Sequence, residues 1–116
     1  MIIDAISVKN LFSSDKFSLD NSVELTEIIL KNSNITIERI VSNGQHSADG
    51  FWYDQMQDEW VMLLTGSAQL QFEGNKTINL KSGDYILIPA HCKHRVNSTS
   101  AEPKCFWLAI HGNLAK

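Results

Sequence analysis

Residues 51–66, FWYDQMQDEWVMLLTG, and residues 83–96, GDYILIPAHCKHRV, decide the fold of this chain. In the first stretch a polar segment leads into the apolar run 60–65, which stops at Gly66. In the second stretch a turn leads into a shorter apolar run that ends at Pro89. Short apolar runs bounded by glycine and proline are typical of β-strands. Both stretches therefore predict strands that are separated by tight turns.

The same pattern continues outward from these two stretches. From residue 35 onward, apolar and polar residues alternate, and turn residues recur at intervals of about ten, which indicates an all-β sandwich or barrel. Gly74 and Asn75 form a two-residue hairpin signal between two such runs. We predict about seven short strands, within residues 35–42, 60–65, 68–73, 76–80, 85–88, 95–97 and 105–111.

The N-terminal third has a different pattern. Residues 19–32 place Asp20 or Ser22 where a helix N-cap is expected, and apolar residues follow at helical spacing. We therefore predict a short amphipathic helix here. In this division, residues 1–34 are an N-terminal arm and helix packed on the barrel, and residues 35–116 are the barrel itself.

Length and charge limit the possible functions. The 116 residues suffice for one domain, because domains usually contain about 100–150 residues. The net charge of −3 provides no attraction to nucleic acid or to an anionic membrane, and no apolar run approaches the roughly 18–20 residues that span a bilayer. The two cysteines form no CxxC pair, and the first residues do not resemble a secretory leader. We expect a cytoplasmic protein whose partners are small molecules and other protein chains.

Two motifs in the quoted stretches resemble those of a known family. Glu59-x6-Gly66 and Gly83-x5-Pro89-x4-His94 are similar to the two motifs of the cupin superfamily, G-x5-H-x-H-x3–4-E-x6-G and G-x5-P-x-G-x2-H-x3-N. The likeness spans residues 44–97, and a closer one to a group of small single-domain cupins covers most of the chain. The resemblance implies an all-β fold, a cupin jelly-roll β-barrel, here with a short N-terminal helix.

The resemblance also implies a metal site. In metal-binding cupins, three histidines and one glutamate converge inside the barrel on a divalent metal, and this sequence keeps Glu59 and His94 of that set. Iron, manganese, nickel or zinc would suit such a site. The alternative is a barrel without metal, in which the buried carboxylate of Glu59 pairs with His94 or with Arg39.

Other residue types replace the remaining two histidines of the family motif. With three residues between the pair and Glu59, the pair falls on Tyr53 and Gln55; with four, it falls on Trp52 and Asp54. If Glu59 points inward on a regular strand, Gln55 and Tyr53 also point inward. We therefore favour Gln55 and Tyr53 as residues that line the cavity and keep Asp54 as an alternative metal ligand. Gln55 or Asp54, or a further histidine from His111 and His91, would complete the metal site with Glu59 and His94.

Several further residues are candidates for the pocket. His111 ends the last predicted strand, and His91 lies three residues before His94, where it contributes only if the loop turns between them; a solvent-exposed position suits His91 better. Tyr53, Arg39 and Trp52 could orient a small polar substrate. Two hypotheses follow: a mononuclear metal enzyme that acts on a small polar molecule, or a non-enzymatic cupin that binds a small ligand without metal.

Two predicted strands are apolar on both faces. In residues 60–65, WVMLLT, and residues 105–110, CFWLAI, every second residue points away from the barrel interior and is still apolar. A strand of this kind needs a second covering layer. We predict that another subunit covers it in a homodimer, and the alternative is the N-terminal third of the same chain.

Overall fold

The structure, a computed structural model, describes residues 6–13 and 23–115, which form eight β-strands and no helix. Within this part of the chain, therefore, no helix is long and apolar enough to cross a membrane. All seven predicted strands form, and one further strand precedes them. The strands are β1 (Leu25–Lys31), β2 (Ile35–Ser42), β3 (Asp58–Thr65), β4 (Ser67–Phe72), β5 (Lys76–Lys81), β6 (Tyr85–Ile88), β7 (His94–Thr99) and β8 (Cys105–Gly112).

The strands form two antiparallel sheets that share one core. The larger sheet has the order β1-β2-β8-β3-β6, and the smaller has the order β5-β4-β7. Leu63 and Trp107 from the larger sheet pack in one buried cluster with Leu70 and Leu80 from the smaller sheet. This two-sheet arrangement confirms the prediction of an all-β jelly roll.

The predicted N-terminal helix is wrong over Leu25–Lys31, which pairs with β2 as an edge strand. The apolar residues Leu25, Ile28 and Ile29 have helical spacing because a β-bulge between Ile28 and Leu30 interrupts the alternation of the strand. The β-branched residues of this segment suit a strand better than a helix. The two candidate N-caps, Asp20 and Ser22, lie outside the described residues. Residue 34, the predicted boundary between the N-terminal segment and the barrel, lies in the turn between β1 and β2.

The larger sheet has two apolar faces, as the sequence of β3 and β8 predicts. Leu63 and Trp107 are buried on the inner face. On the opposite face, here called the outer face, the half-buried side chains are those of Trp60, Met62, Leu64, Phe106, Leu108 and Ile110.

Part of the outer face is covered by residues 6–13, here called the arm. The rings of Phe12 and Phe106 meet edge to face with their centroids 5.3 Å apart. Towards β6, Tyr85 and Leu87 on the same face remain 63% and 44% exposed. The arm therefore supplies some of the cover that the two-faced strands need, and the homodimer stays a prediction.

Candidate functional site

A cavity of about 230 Å³ opens inside the barrel. Strand alternation decides its lining, because every second residue of β2, β3 and β8 points inward. Its apolar wall comprises Ile40, Val61, Leu70, Ile88, Val96 and Trp107. Its polar lining comprises Glu24, Thr26, Glu38, Ser42, Tyr53, Gln55, Glu59, His94 and His111.

The carboxylate of Glu59 lies between two imidazoles. Its Oε1 is 3.6 Å from Nε2 of His94, and its Oε2 is 4.0 Å from Nε2 of His111. Both distances are those of ion pairs and are too long for hydrogen bonds. Glu59 is only 8% exposed. A buried carboxylate thus faces the cavity with neither oxygen at normal hydrogen-bond distance from these imidazoles.

His94 is held rigidly at the start of β7. Its Nδ1 is 2.9 Å from the carbonyl oxygen of Cys92, and its ring lies between those of Tyr53 and Phe72, with centroids 5.3 and 5.9 Å away. Backbone hydrogen bonds join His94 to Tyr53 in both directions. With Nδ1 donating to the carbonyl, Nε2 is directed at Glu59.

The surroundings of His94 favour its protonated form. Burial lowers the pKa of His94, but the nearby Glu59 carboxylate and the Cys92 carbonyl oxygen outweigh it and raise the pKa above its usual value. Histidine titrates near neutral pH. His94 can therefore hold or release a proton next to Glu59.

Two further carboxylates line the cavity, and the sequence analysis did not single out either as a site residue. Glu38 accepts a hydrogen bond from Nε2 of His111 at 2.9 Å. Glu24 accepts a hydrogen bond from the Ser42 hydroxyl at 3.1 Å, and the Trp107 indole N–H donates to the same hydroxyl at 3.1 Å. Burial raises the pKa of Glu24 and the Glu59 carboxylate raises it further, against the lowering effect of Ser42.

Of the residues predicted from the sequence, the cavity brings together Tyr53, Gln55, Glu59, His94 and His111. Tyr53 and Gln55 point inward, as strand parity favours. Burial and the carboxylates of Glu24 and Glu59 raise the pKa of the Tyr53 phenol, so this hydroxyl stays protonated and can act as a hydrogen-bond donor.

Three predicted site residues lie outside the cavity. Asp54, the alternative metal ligand, points away from the barrel, and its Oδ1 is 2.8 Å from Nδ1 of His91, with both side chains exposed. Trp52 lies beside Asp54 in a separate surface hollow. Asp54 as a metal ligand and Trp52 as a pocket residue are thus corrected, since both lie on the opposite side of their segment from Tyr53 and Gln55. His91 is exposed, which is the position that suited it better in the sequence.

The prediction that Arg39 faces the ligand is also wrong. Its β2 neighbours Glu38 and Ile40 face the cavity, so Arg39 projects from the opposite side of the sheet. There its guanidinium donates to the carbonyl oxygens of Leu11 and Ser13 at 2.8 and 2.7 Å and forms an ion pair with Glu27. Arg39 is buried because it anchors the arm.

The donors in the cavity do not form a metal site as they are placed. Among residues 6–13 and 23–115, no group of three or more His, Cys, Asp or Glu side chains is arranged to hold a metal ion. The Nε2 atoms of His94 and His111 each face a carboxylate oxygen, that of Glu59 at 3.6 Å and that of Glu38 at 2.9 Å. The divalent metal implied by the family motifs stays a prediction.

The jelly roll and the inward positions of Glu59 and His94 agree with a comparison against protein families. The family model described as the cupin domain matches residues 41–111. This chain belongs to the cupin family. The match confirms the resemblance seen in the two sequence motifs.

Solved structures of other cupins and related proteins extend this comparison. A protein of Ralstonia eutropha JMP134, provisionally named a mannose-6-phosphate isomerase, is 40% identical over 94% of this cupin and 100% of that chain, with a TM-score of 0.83. A cupin-2 domain protein of Shewanella frigidimarina NCIMB 400 is 23% identical over 91% and 95% of the two chains, with a TM-score of 0.64. A cupin superfamily protein of Desulfitobacterium hafniense DCB-2 is 18% identical over 79% of each chain, with a TM-score of 0.66. A search of curated protein sequences finds no match.

Proposed function

We propose that this cupin binds a small polar molecule in the barrel cavity, with Glu59, His94 and His111 as its main contacts. The observation that carries the proposal is the Glu59 carboxylate, which is 8% exposed and lies 3.6 and 4.0 Å from its two imidazole neighbours. Among the described residues no fully buried side-chain oxygen or nitrogen lacks a hydrogen-bond partner, so the Glu59 oxygens are open to the cavity. A ligand that enters the cavity can therefore donate hydrogen bonds to a carboxylate that has no protein donor at normal hydrogen-bond distance.

The same residues could also move a proton on a bound ligand. Glu59 is an acceptor between two imidazoles, and the raised pKa of His94 keeps a proton available next to it. An acid and a base on one cavity wall are the requirements of general acid–base chemistry. A measurement of turnover of the bound molecule decides whether the protein is an enzyme or only binds its ligand.

The provisional name of the Ralstonia protein suggests a sugar phosphate as one candidate ligand. The described lining of the cavity argues against the phosphate group, because it includes three glutamates and no Lys or Arg. A phosphate is usually held by Arg, Lys or a helix N-terminus. We therefore propose a polar ligand without a phosphate.

The first experiment is a thermal-shift screen of small sugars, acids, alcohols and amines. A ligand at a hundred times its dissociation constant stabilises the folded state by about 2.7 kcal/mol. We expect at least one compound to stabilise the wild-type protein and to lose this effect in Glu59→Gln. The matched control Glu73→Gln changes an exposed glutamate outside the cavity and should respond like the wild type.

Two outcomes would overturn the proposal. The first is that no compound in the screen stabilises the protein. The second is that the compounds found stabilise Glu59→Gln as much as the wild type. Metal analysis of protein purified without chelator runs alongside, and near-stoichiometric iron, manganese, nickel or zinc that is lost in Glu59→Gln would replace this proposal with the metal-centre hypothesis.

A further inference from the structure

The cavity collects more negative than positive charge. Among the residues that the structure describes, its lining includes the carboxylates of Glu24, Glu38 and Glu59 and the imidazoles of His94 and His111, but no Lys or Arg. Even if both imidazoles are protonated, the three ionised carboxylates leave an excess of one negative charge. Charges in a partly enclosed site are screened less than charges on the open surface, so this excess acts on a molecule that enters.

The basic residues of the surrounding strands are directed elsewhere. Arg39 on β2 projects from the outer face, where it binds the arm and Glu27. Arg95 on β7 donates to the carbonyl oxygens of Ser47 and Ala48 at 3.1 and 3.3 Å. Neither guanidinium is in the cavity lining, so no basic side chain among residues 6–13 and 23–115 lines the cavity beside the excess negative charge.

The three carboxylates of the cavity differ in their hydrogen-bond partners. Glu38 is hydrogen-bonded to His111 and Glu24 to Ser42, whereas Glu59 has only the two longer ion-pair contacts. The negative charge of Glu59 contributes to the raised pKa values of both Glu24 and Tyr53. A positively charged hydrogen-bond donor would form hydrogen bonds with Glu59. The same group would reduce the repulsion among the three carboxylates.

We infer that the ligand of this cavity is a small organic cation, a protonated amine whose nitrogen donates to Glu59 and lies near Glu24 and Glu38. The rings of Trp107 and Tyr53 line the same cavity and offer aromatic surface, which attracts cations as well as apolar groups. This inference rests on the proposed binding function and specifies the charge of the ligand.

A protonated amine does not need the converging donor atoms that a metal ion needs. Metal ions require donor atoms at about 2.0–2.6 Å around one point, and the described residues form no such group. An ammonium group instead donates hydrogen bonds of about 2.7–2.9 Å in several directions. It can therefore link carboxylates that do not converge on one point.

Three probes of matched size test the charge. Protein freed of metal with chelator is titrated with 1-amino-2-propanol, 1,2-propanediol and lactate, which share one framework and differ in an ammonium, a hydroxyl or a carboxylate group. The NMR signal of the Trp107 indole N–H reports binding, because this group lies on the cavity wall and donates to Ser42. The indole signals of Trp52 and Trp60, which lie outside the cavity, are internal controls.

We expect the amine to shift the Trp107 signal with an affinity at least about tenfold above that of the diol, and lactate to bind least. Glu38→Gln and Glu24→Gln should each weaken amine binding about threefold to tenfold, and the exposed control Glu73→Gln should leave it unchanged. Folding of each variant is verified from the dispersion of the same NMR spectra.

The outcomes separate this inference from the proposed function. If the diol or lactate moves the Trp107 signal as strongly as the amine, and does so only with Glu59 present, the cavity binds small polar molecules and the inferred charge is wrong. If none of the three probes moves this signal, the inference is wrong, while the wider screen still decides the proposed function. If the amine effect survives in Glu24→Gln and Glu38→Gln, the carboxylates do not select a cation and the inference also fails.

Discussion

Replacement of Asp58 by asparagine should destabilise the fold more than the same replacement at an aspartate in an exposed turn. The buried carboxylate of Asp58 precedes Glu59 on β3 and accepts three backbone hydrogen bonds. Its Oδ1 accepts from the amide of Ala90 at 2.8 Å, and its Oδ2 accepts from those of Leu114 and Ala115 at 2.8 and 2.9 Å. One side chain therefore fixes both the loop before His94 and the C-terminal residues.

The magnitude follows from these three bonds. A hydrogen bond to a charged group contributes about 1.5–3 kcal/mol. In Asp58→Asn one oxygen becomes an NH2 group, which cannot accept from the amides that face it, and the remaining bonds lose their charge. We expect a loss of about 3 kcal/mol in the free energy of unfolding, a large fraction of the roughly 5–15 kcal/mol typical of a domain. The melting temperature should fall by about 10–15 °C.

Urea unfolding followed by tryptophan fluorescence measures this loss. Asp84→Asn is the matched control, because the Asp84 carboxylate also accepts a backbone hydrogen bond, from Lys81 at 2.8 Å, but in an exposed turn. The control should lose clearly less stability than Asp58→Asn. A loss below about 1 kcal/mol in Asp58→Asn, or equal losses in the two variants, would refute the reasoning that burial strengthens these three bonds.

Four other changes have expected outcomes. The pKa of Glu24 is raised in the folded state, so the folded protein binds the carboxyl proton of Glu24 more tightly than the unfolded chain does. The free energy of unfolding should therefore fall as pH rises from the usual carboxyl pKa to the raised one. Urea denaturation at several pH values should show a smaller fall in Glu24→Gln. Gly66→Ala should lower the free energy of unfolding by about 2–4 kcal/mol, measured by urea denaturation, because φ is +91° and the new Cβ would lie 2.8 Å from Sγ of Cys105. Arg39→Met should accelerate hydrogen exchange in the arm, and unchanged exchange would mean that the guanidinium does not hold it. If the outer face joins two copies, light scattering should give twice 13.1 kDa, and Leu87→Glu should restore the monomer mass.

The positions of most strands along the chain were predictable because the sequence signals that define a strand are local. Alternation and turn residues such as Gly66 and Gly74 act within a few neighbours, so seven strands could be located from the sequence. The inward positions of Tyr53 and Gln55 also followed from simple parity relative to Glu59. Local signals failed at β1, where the bulge after Ile28 produced the spacing of a helix.

The rest of the site could not be predicted because it depends on which side of β2 faces inward. Ile35, Ile37 and Val41, three of the four apolar residues of this strand, share one face, and the usual rule would turn that face towards the core. The pairing of β2 with β8 turns them to the outer face and turns Glu38 and Ser42 to the cavity. That pairing joins segments about seventy residues apart, from Ile35↔Gly112 to Ser42↔Cys105, and no local pattern reveals it.

The inward placement of the polar residues of β2 connects the cavity to the arm. A strand can direct polar residues such as Glu38 into the barrel only if its apolar residues have another place to be buried. The arm provides part of that place, since Arg39 binds its carbonyl oxygens and Phe106 packs against its aromatic ring. The polar cavity and the covered outer face are therefore two consequences of one arrangement. Loss of the arm would remove the hydrogen bonds to Arg39 and the ring contact with Phe106, and it would weaken the strand that carries Glu38 and Ser42 into the cavity.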